Sequence, residues 1–112
     1  MAKNLFKSYT YNFDKNEKKI IATFCKQALK QMTTDDKFFR EVRVFNSILE
    51  KINAGEEEVK LTKEESTKLS LQLNENLKHL KKQMDNTWFL KKWFMKSVYY
   101  QYYNIVENHF SK

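Results

Sequence analysis

Few residues of this chain have the types and the spacing that metal binding requires. Glu75 and His79 lie one helical turn apart and offer two ligands, whereas a structural zinc site needs four. The second histidine, His109, is far along the chain, and the sequence shows no further His or Cys at ligand spacing. A solvated histidine on a polar helix face is the simpler explanation of His79, so we predict no metal site.

The residue types needed for covalent or phosphate chemistry are equally scarce. Cys25 is the single cysteine and cannot form an intrachain disulfide. It borders an apolar helical stripe, which favours a small core residue over an activated nucleophile. Gly55 is the single glycine, too few for a phosphate-binding loop or a dinucleotide fingerprint. We therefore predict that the protein is not an enzyme and uses no cofactor.

An acidic run, Glu56-Glu57-Glu58, precedes two further carboxylates at Glu64 and Glu65. Its spacing lacks the alternating ligands and the central glycine of a calcium loop. Three consecutive carboxylates are typical of a solvated loop, and we predict no cation site here.

The formal net charge of +7 indicates a second kind of function, nucleic-acid binding. Basic residues on the first two predicted helices lie off the apolar stripes and offer a surface for a phosphate backbone; the four that we select are Lys18, Lys19, Arg40 and Arg43. Arg40 and Arg43 are the only arginines, and an AT-rich bacterial genome would by itself enrich a protein in lysine. A nucleic-acid-binding accessory protein is therefore the alternative hypothesis.

Residues 86–112 hold nine of the seventeen aromatic side chains in one predicted helix. One stripe of this helix, formed by Leu90, Phe94, Val98 and Ile105, is expected to pack on the preceding helix. More aromatic surface remains than a small bundle buries, and Tyr and Trp are enriched at interfaces. The residues that we predict to form an interface are Trp88, Phe89, Trp93, Tyr99, Tyr100 and Tyr103.

The elements that must position these residues are mostly helices, because proline is absent. Apolar periodicity predicts four helices. They cover residues 15–32, the segment that starts at Thr33-Thr34-Asp35-Asp36 and ends just before Gly55, residues 63–84 and residues 86–112. Capping boxes at Asp14–Glu17 and Thr62–Glu65 mark two helix starts. Alternating residues within 5–13 and 57–61 favour a small two-stranded β ribbon.

These patterns predict a mainly all-α fold: one helical domain over residues 1–112, with four helices in two antiparallel hairpins. The N-terminus lacks a signal-peptide pattern, and lysines interrupt the longest apolar segment, so we expect a cytoplasmic protein without a membrane span. The predicted function is protein–protein interaction or self-association, with nucleic acid as the alternative partner and no small-molecule ligand.

Overall fold

The computed structural model of the protein describes residues 9–86 and 89–110, with the backbone alone at residues 89 and 90. Within that range the elements, in chain order, are strand β1 (Tyr9–Tyr11), helix α1 (Lys15–Met32), a 3₁₀ turn (Asp36–Phe38), helix α2 (Phe39–Asn53), strand β2 (Val59–Leu61), helix α3 (Lys63–Asp85), helix α4 (Phe89–Ile105) and a π-helical turn (Val106–Phe110). This confirms a mainly α-helical fold with four helices and a small ribbon.

The chain divides into two compact units, residues 1–68 and 69–112. The boundary falls inside α3, between Lys68 and the buried Leu69. That the whole chain acts as one domain stays a prediction.

In the first unit, α1 and α2 form an antiparallel hairpin. The connection of residues 33–38 spans at most roughly 21 Å. A parallel arrangement would have to cross the length of the 18-residue α1, about 27 Å. The Lys18 ammonium group near the start of α1 donates to the backbone carbonyl of Glu56, just beyond the end of α2. The hairpin places the start of each helix beside the end of the other.

The core of this unit lies where the hairpin helices and the ribbon meet. Ile21 and Cys25 of α1 and Phe45 and Ile48 of α2 have no exposed surface. Strand β2 of the ribbon adds two side chains, because Val59 and Leu61 are buried while Lys60 between them is exposed. Successive side chains of a strand point to opposite faces, so the period-2 pattern arises because one face of β2 is buried and the other is exposed.

The ribbon pairs β1 with β2 in antiparallel register, with Tyr9 opposite Leu61 and Tyr11 opposite Val59. The Tyr11 ring stacks on Phe13 at 5.1 Å between centroids, and the hydroxyl groups of Tyr11 and Ser66 hydrogen bond. Burial raises the pKa of Tyr11, although the bond to Ser66 acts in the opposite direction. The predicted ribbon is confirmed within the described residues.

Local capping explains where the helices begin and end. The Asp14 carboxylate accepts from the backbone N–H of Glu17 at 2.7 Å, and the Glu17 carboxylate accepts from the N–H of Asp14 at 3.0 Å. Asp35 caps the 3₁₀ turn that leads directly into α2. Gly55 follows the end of α2 with φ of +79°, the left-handed conformation that terminates many helices. The start at Asp14–Glu17 and the stop at Gly55 are confirmed, whereas α2 begins only at Phe39, after the 3₁₀ turn and without a side-chain cap of its own.

In the second unit, the buried side chains lie near the start and near the end of residues 69–112. Leu69, Leu73 and Leu77 on α3 are buried, whereas Leu80 and Met84 further along the same stripe are half-buried. Towards the C-terminus, buried side chains return at Tyr102, Ile105 and Val106. Between these two groups, the side chains of residues 81–86 and 91–96 are largely exposed.

Candidate functional site

Among its described side chains, helix α4 buries residues only in its C-terminal half, and one side of the helix is exposed along its length. At about 100° per residue, the buried Tyr102 and Ile105 and the half-buried Val98 lie on one side of the helix. A second group lies within an arc of about 100° on the other side: Lys92, Trp93, Lys96, Tyr100 and Tyr103, all exposed. We call this group the outer face of α4.

The aromatic exposure on this face is large. Trp93 exposes 78%, Tyr100 48% and Tyr103 38% of their surface. With typical aromatic areas of 150–250 Å², these three side chains present roughly 400 Å² to solvent. This total area is comparable to that of the largest apolar patch on a typical monomer, and such patches are often functional. The outer face is therefore the strongest candidate for an interaction surface among the described residues.

The tyrosines on α4 pack on one another. Tyr99 and Tyr103 stack with ring centroids 6.1 Å apart and an interplanar angle of 17°. Tyr100 contacts both edge-on, at 5.4 Å from Tyr99 and 6.1 Å from Tyr103. Such contacts restrict the side-chain rotamers, so part of the entropy lost on binding is already lost in the free protein.

Three of the six predicted interface residues lie on the outer face: Trp93, Tyr100 and Tyr103. Tyr99 is half-buried beside them. Trp88 lies outside the described residues, and so does the side chain of Phe89. That these residues form an interface stays a prediction.

One expectation about α4 is wrong. Phe94 was expected to pack against α3 in a stripe with Val98 and Ile105, but 67% of its surface is exposed. The reason is position along the helix, since among the described side chains of α4 the first half-buried one is Met95 and the buried ones are Tyr102 and Ile105. Helical periodicity identifies a side of the helix but not how far along it the packing extends.

Lysines are frequent on α4 and in the second half of α3, and five of them form no salt bridge among the described residues. For Lys81, Lys82, Lys91, Lys92 and Lys96, no carboxylate within residues 9–86 and 89–110 forms a salt bridge. A recess of about 400 Å³ within this unit is bounded by three of them, with Asp85 as its single acidic residue; its lining is Lys81, Met84, Asp85, Lys92, Lys96, Tyr99 and Tyr100. The recess joins exposed aromatic surface to positive charge.

The four basic residues selected from the N-terminal helices do not share one end of the hairpin. Lys18 and Lys19 lie near the start of α1, whereas Arg40 and Arg43 lie near the start of α2, at the opposite end. The Arg40 guanidinium lies 4.0 Å from the Glu64 carboxylate, and that of Arg43 lies 5.9 Å from the centroid of the Phe39 ring. Nucleic-acid contact by these residues stays a prediction, without a common patch to support it.

A polar network that the sequence did not indicate links α2 to the start of α3. The Glu65 side chain is buried and accepts three hydrogen bonds: from the Lys51 ammonium at 2.7 Å, the Ser47 hydroxyl at 2.5 Å and the Thr62 N–H at 2.9 Å. Burial acts to raise the pKa of Glu65, but the bonds from Lys51, Ser47 and Thr62 outweigh it and the net pKa is lowered. The predicted capping box is thus also a tertiary contact.

The other residues considered for chemistry are placed as follows. Cys25 is fully buried, and burial raises its pKa to about 12, so the reactive thiolate is scarce at neutral pH. His79 is exposed, and Glu75 lies 3.8 Å from the Lys78 ammonium. Glu56, Glu57 and Glu58 are exposed. The described part of the chain contains no group of three or more His, Cys, Asp or Glu that could hold a metal ion.

Comparison with known proteins identifies no relative of this chain. No protein-family model, no curated protein and no solved structure matches the chain. Among the described helices, none has both the length and the apolar character needed to cross a membrane.

Proposed function

We propose that this protein is a small, cytoplasmic, non-enzymatic helical protein that binds another protein through the outer face of α4. The observation that carries the proposal is the exposure of the outer face along the described length of α4. Trp93 is 78% exposed on the same helix that buries Tyr102 and Ile105. Exposed Trp and Tyr supply large contact areas at low entropic cost. At known interfaces, truncation of a few residues, often Trp or Tyr, causes most of the loss in binding free energy.

The dimensions of the surface support this proposal. A stable interface buries about 800 Å² on each partner. The roughly 400 Å² exposed by Trp93, Tyr100 and Tyr103 would supply about half of that area as apolar surface. Lys92, Lys96 and the neighbouring recess would supply the polar rim that surrounds the centre of an interface.

Site-specific photo-cross-linking tests the proposal. A photoreactive benzoylphenylalanine replaces Trp93 in one variant and Leu71 in a second, and each is irradiated in an extract of the source organism. Leu71 is the matched control because it is an apolar helical residue of the same unit with 55% of its surface exposed. We expect a discrete adduct from position 93 and none from position 71.

Sedimentation velocity of the purified protein distinguishes a second copy from a different partner. A dimer that Trp93→Ala dissociates and Leu71→Ala leaves intact would identify the protein as its own partner. A strict monomer, combined with equal cross-linking from positions 93 and 71, would refute the proposed function.

A further inference from the structure

The charge around the outer face of α4 restricts the chemistry of its partner. From residue 76 to residue 106 the sequence contains six lysines and one acidic residue, Asp85. Lys92 and Lys96 lie on the outer face itself, and Lys81 bounds the adjoining recess. A partner that covers this surface must either neutralise these ammonium groups or desolvate them without compensation, which is costly.

Symmetric self-association satisfies this requirement less fully. In a two-fold dimer the outer face meets itself, so Lys92 and Lys96 of both copies enter one interface. The carboxylate that follows this face along the chain is that of Glu107, about one turn beyond Tyr103, so α4 and its π-helical turn supply one acidic group for two outer-face lysines. Like charges opposed across an interface disfavour association strongly.

A nucleic acid would neutralise the lysines, but the aromatic geometry suits it less well. Single strands bind where separate aromatic rings offer free faces for stacking successive bases. Here Tyr103 stacks on Tyr99, and Tyr100 contacts both rings. Residues 69–112 also contain no arginine, the side chain that pairs most effectively with phosphate.

We infer that the partner is an acidic protein segment, an amphipathic helix with carboxylates beside an apolar stripe. Its apolar side chains cover Trp93 and Tyr100, and one of them enters the recess between Lys81 and Lys96. Its carboxylates pair with Lys92 and Lys96. The inference rests on the proposed function and adds the chemical class of the partner to it.

Two labelled helical peptides of 18 residues test this inference by fluorescence anisotropy. Both carry the same leucine and phenylalanine stripe; one has glutamate on its flanks and the other has glutamine at those positions. We expect the glutamate peptide to bind at least about tenfold more tightly at low salt. This preference should decrease as salt screens the charges.

Matched variants assign the effect to the outer face. Combined Lys92→Gln and Lys96→Gln should weaken binding of the glutamate peptide about tenfold, while Lys78→Gln should change it less than about twofold, because Lys78 is exposed beside Glu75. Trp93→Ala should weaken the binding of both peptides by at least about tenfold, and Leu71→Ala should leave the binding of both unchanged. Far-UV circular dichroism establishes that each variant is folded.

Several results would overturn the inference. One is equal binding of the two peptides, and another is an equal effect of the Lys78 and Lys92/Lys96 variants on binding. A third is tighter binding of a single-stranded oligo-dT of equal charge, if Trp93→Ala weakens that binding as well. A dimer that Trp93→Ala dissociates would also overturn it in favour of a second copy. Specific cross-linking from position 93 without preference for the glutamate peptide would refute the acidic partner alone and leave the proposed function standing.

Discussion

The Glu65 network offers a test of how the first unit is held together. Replacing Glu65 with alanine removes the acceptor of three hydrogen bonds, from Lys51, Ser47 and the Thr62 N–H. It therefore removes the side-chain contact between α3 and α2 and one half of the capping box of α3, whereas the Thr62 hydroxyl still accepts from the backbone N–H of residue 65. Glu65→Gln is milder, because its amide oxygen can still accept from Lys51 and Thr62 while the charge is lost.

The size of the effect follows from burial. Breaking a fully buried ion pair costs about 3–5 kcal/mol. Here the Glu65 side chain is 8% exposed but that of Lys51 is 36% exposed, so water can solvate the lysine when its partner is removed. We expect Glu65→Ala to lower the free energy of unfolding by about 2–4 kcal/mol and Glu65→Gln by about 1–2 kcal/mol.

Glu64→Ala is the matched control for this measurement. Glu64 is the same residue type one position earlier in the same turn, but its side chain is 54% exposed and lies 4.0 Å from Arg40. Exposed pairs of this kind contribute about 0–1 kcal/mol. Urea denaturation followed by far-UV circular dichroism gives all three values. Equal destabilisation by Glu64→Ala and Glu65→Ala would refute the bridging role of Glu65.

The pH dependence provides a second readout. Because the folded pKa of Glu65 lies below its ordinary value of 4.5, the ionised carboxylate stabilises the fold. This contribution is complete above pH 4.5 and is lost as the pH falls through the lowered pKa. The stability difference between the native protein and Glu65→Gln should decrease over the same interval, and a difference independent of pH would contradict the assignment.

Three further outcomes are expected. Cys25, with its pKa raised to about 12 and its side chain buried, should react with a disulfide reagent only in denaturant; rapid labelling of the folded protein would contradict its core position. Asp14→Ala should cost about 1 kcal/mol in urea denaturation through loss of the α1 cap, whereas Asp14→Asn should cost less. Gly55→Ala should cost about 1 kcal/mol because of its φ of +79° alone, since no atom lies within 4 Å of the added methyl group; a stabilising effect would contradict that conformation.

Local sequence patterns predicted the elements of this fold well. The helix expected over 15–32 is found at Lys15–Met32, and that expected over 63–84 at Lys63–Asp85. Both starts have capping boxes, in which each hydrogen bond joins residues three positions apart. Because all the interacting groups lie within one turn, the sequence contains the information needed to place them.

Contacts between distant segments were not predictable in the same way. The sequence shows Glu65 as a capping residue but does not show that Lys51 and Ser47 point to it from α2. Phe94 illustrates the converse error, since its helical position suggested burial and the structure exposes it. Both outcomes depend on how two helices lie against each other, which a pattern within one helix does not specify.

The register of the ribbon has a consequence for the folding mechanism. Pairing Tyr9 with Leu61 and Tyr11 with Val59 closes a loop over residues 12–58. Closing so long a loop in an unfolded chain is entropically costly, whereas the α1–α2 hairpin closes over a short connection. Once the hairpin has formed, most of the intervening chain is already ordered and the strand ends are near each other. We therefore expect substitutions in the hairpin core to slow folding, and substitutions in the ribbon mainly to accelerate unfolding.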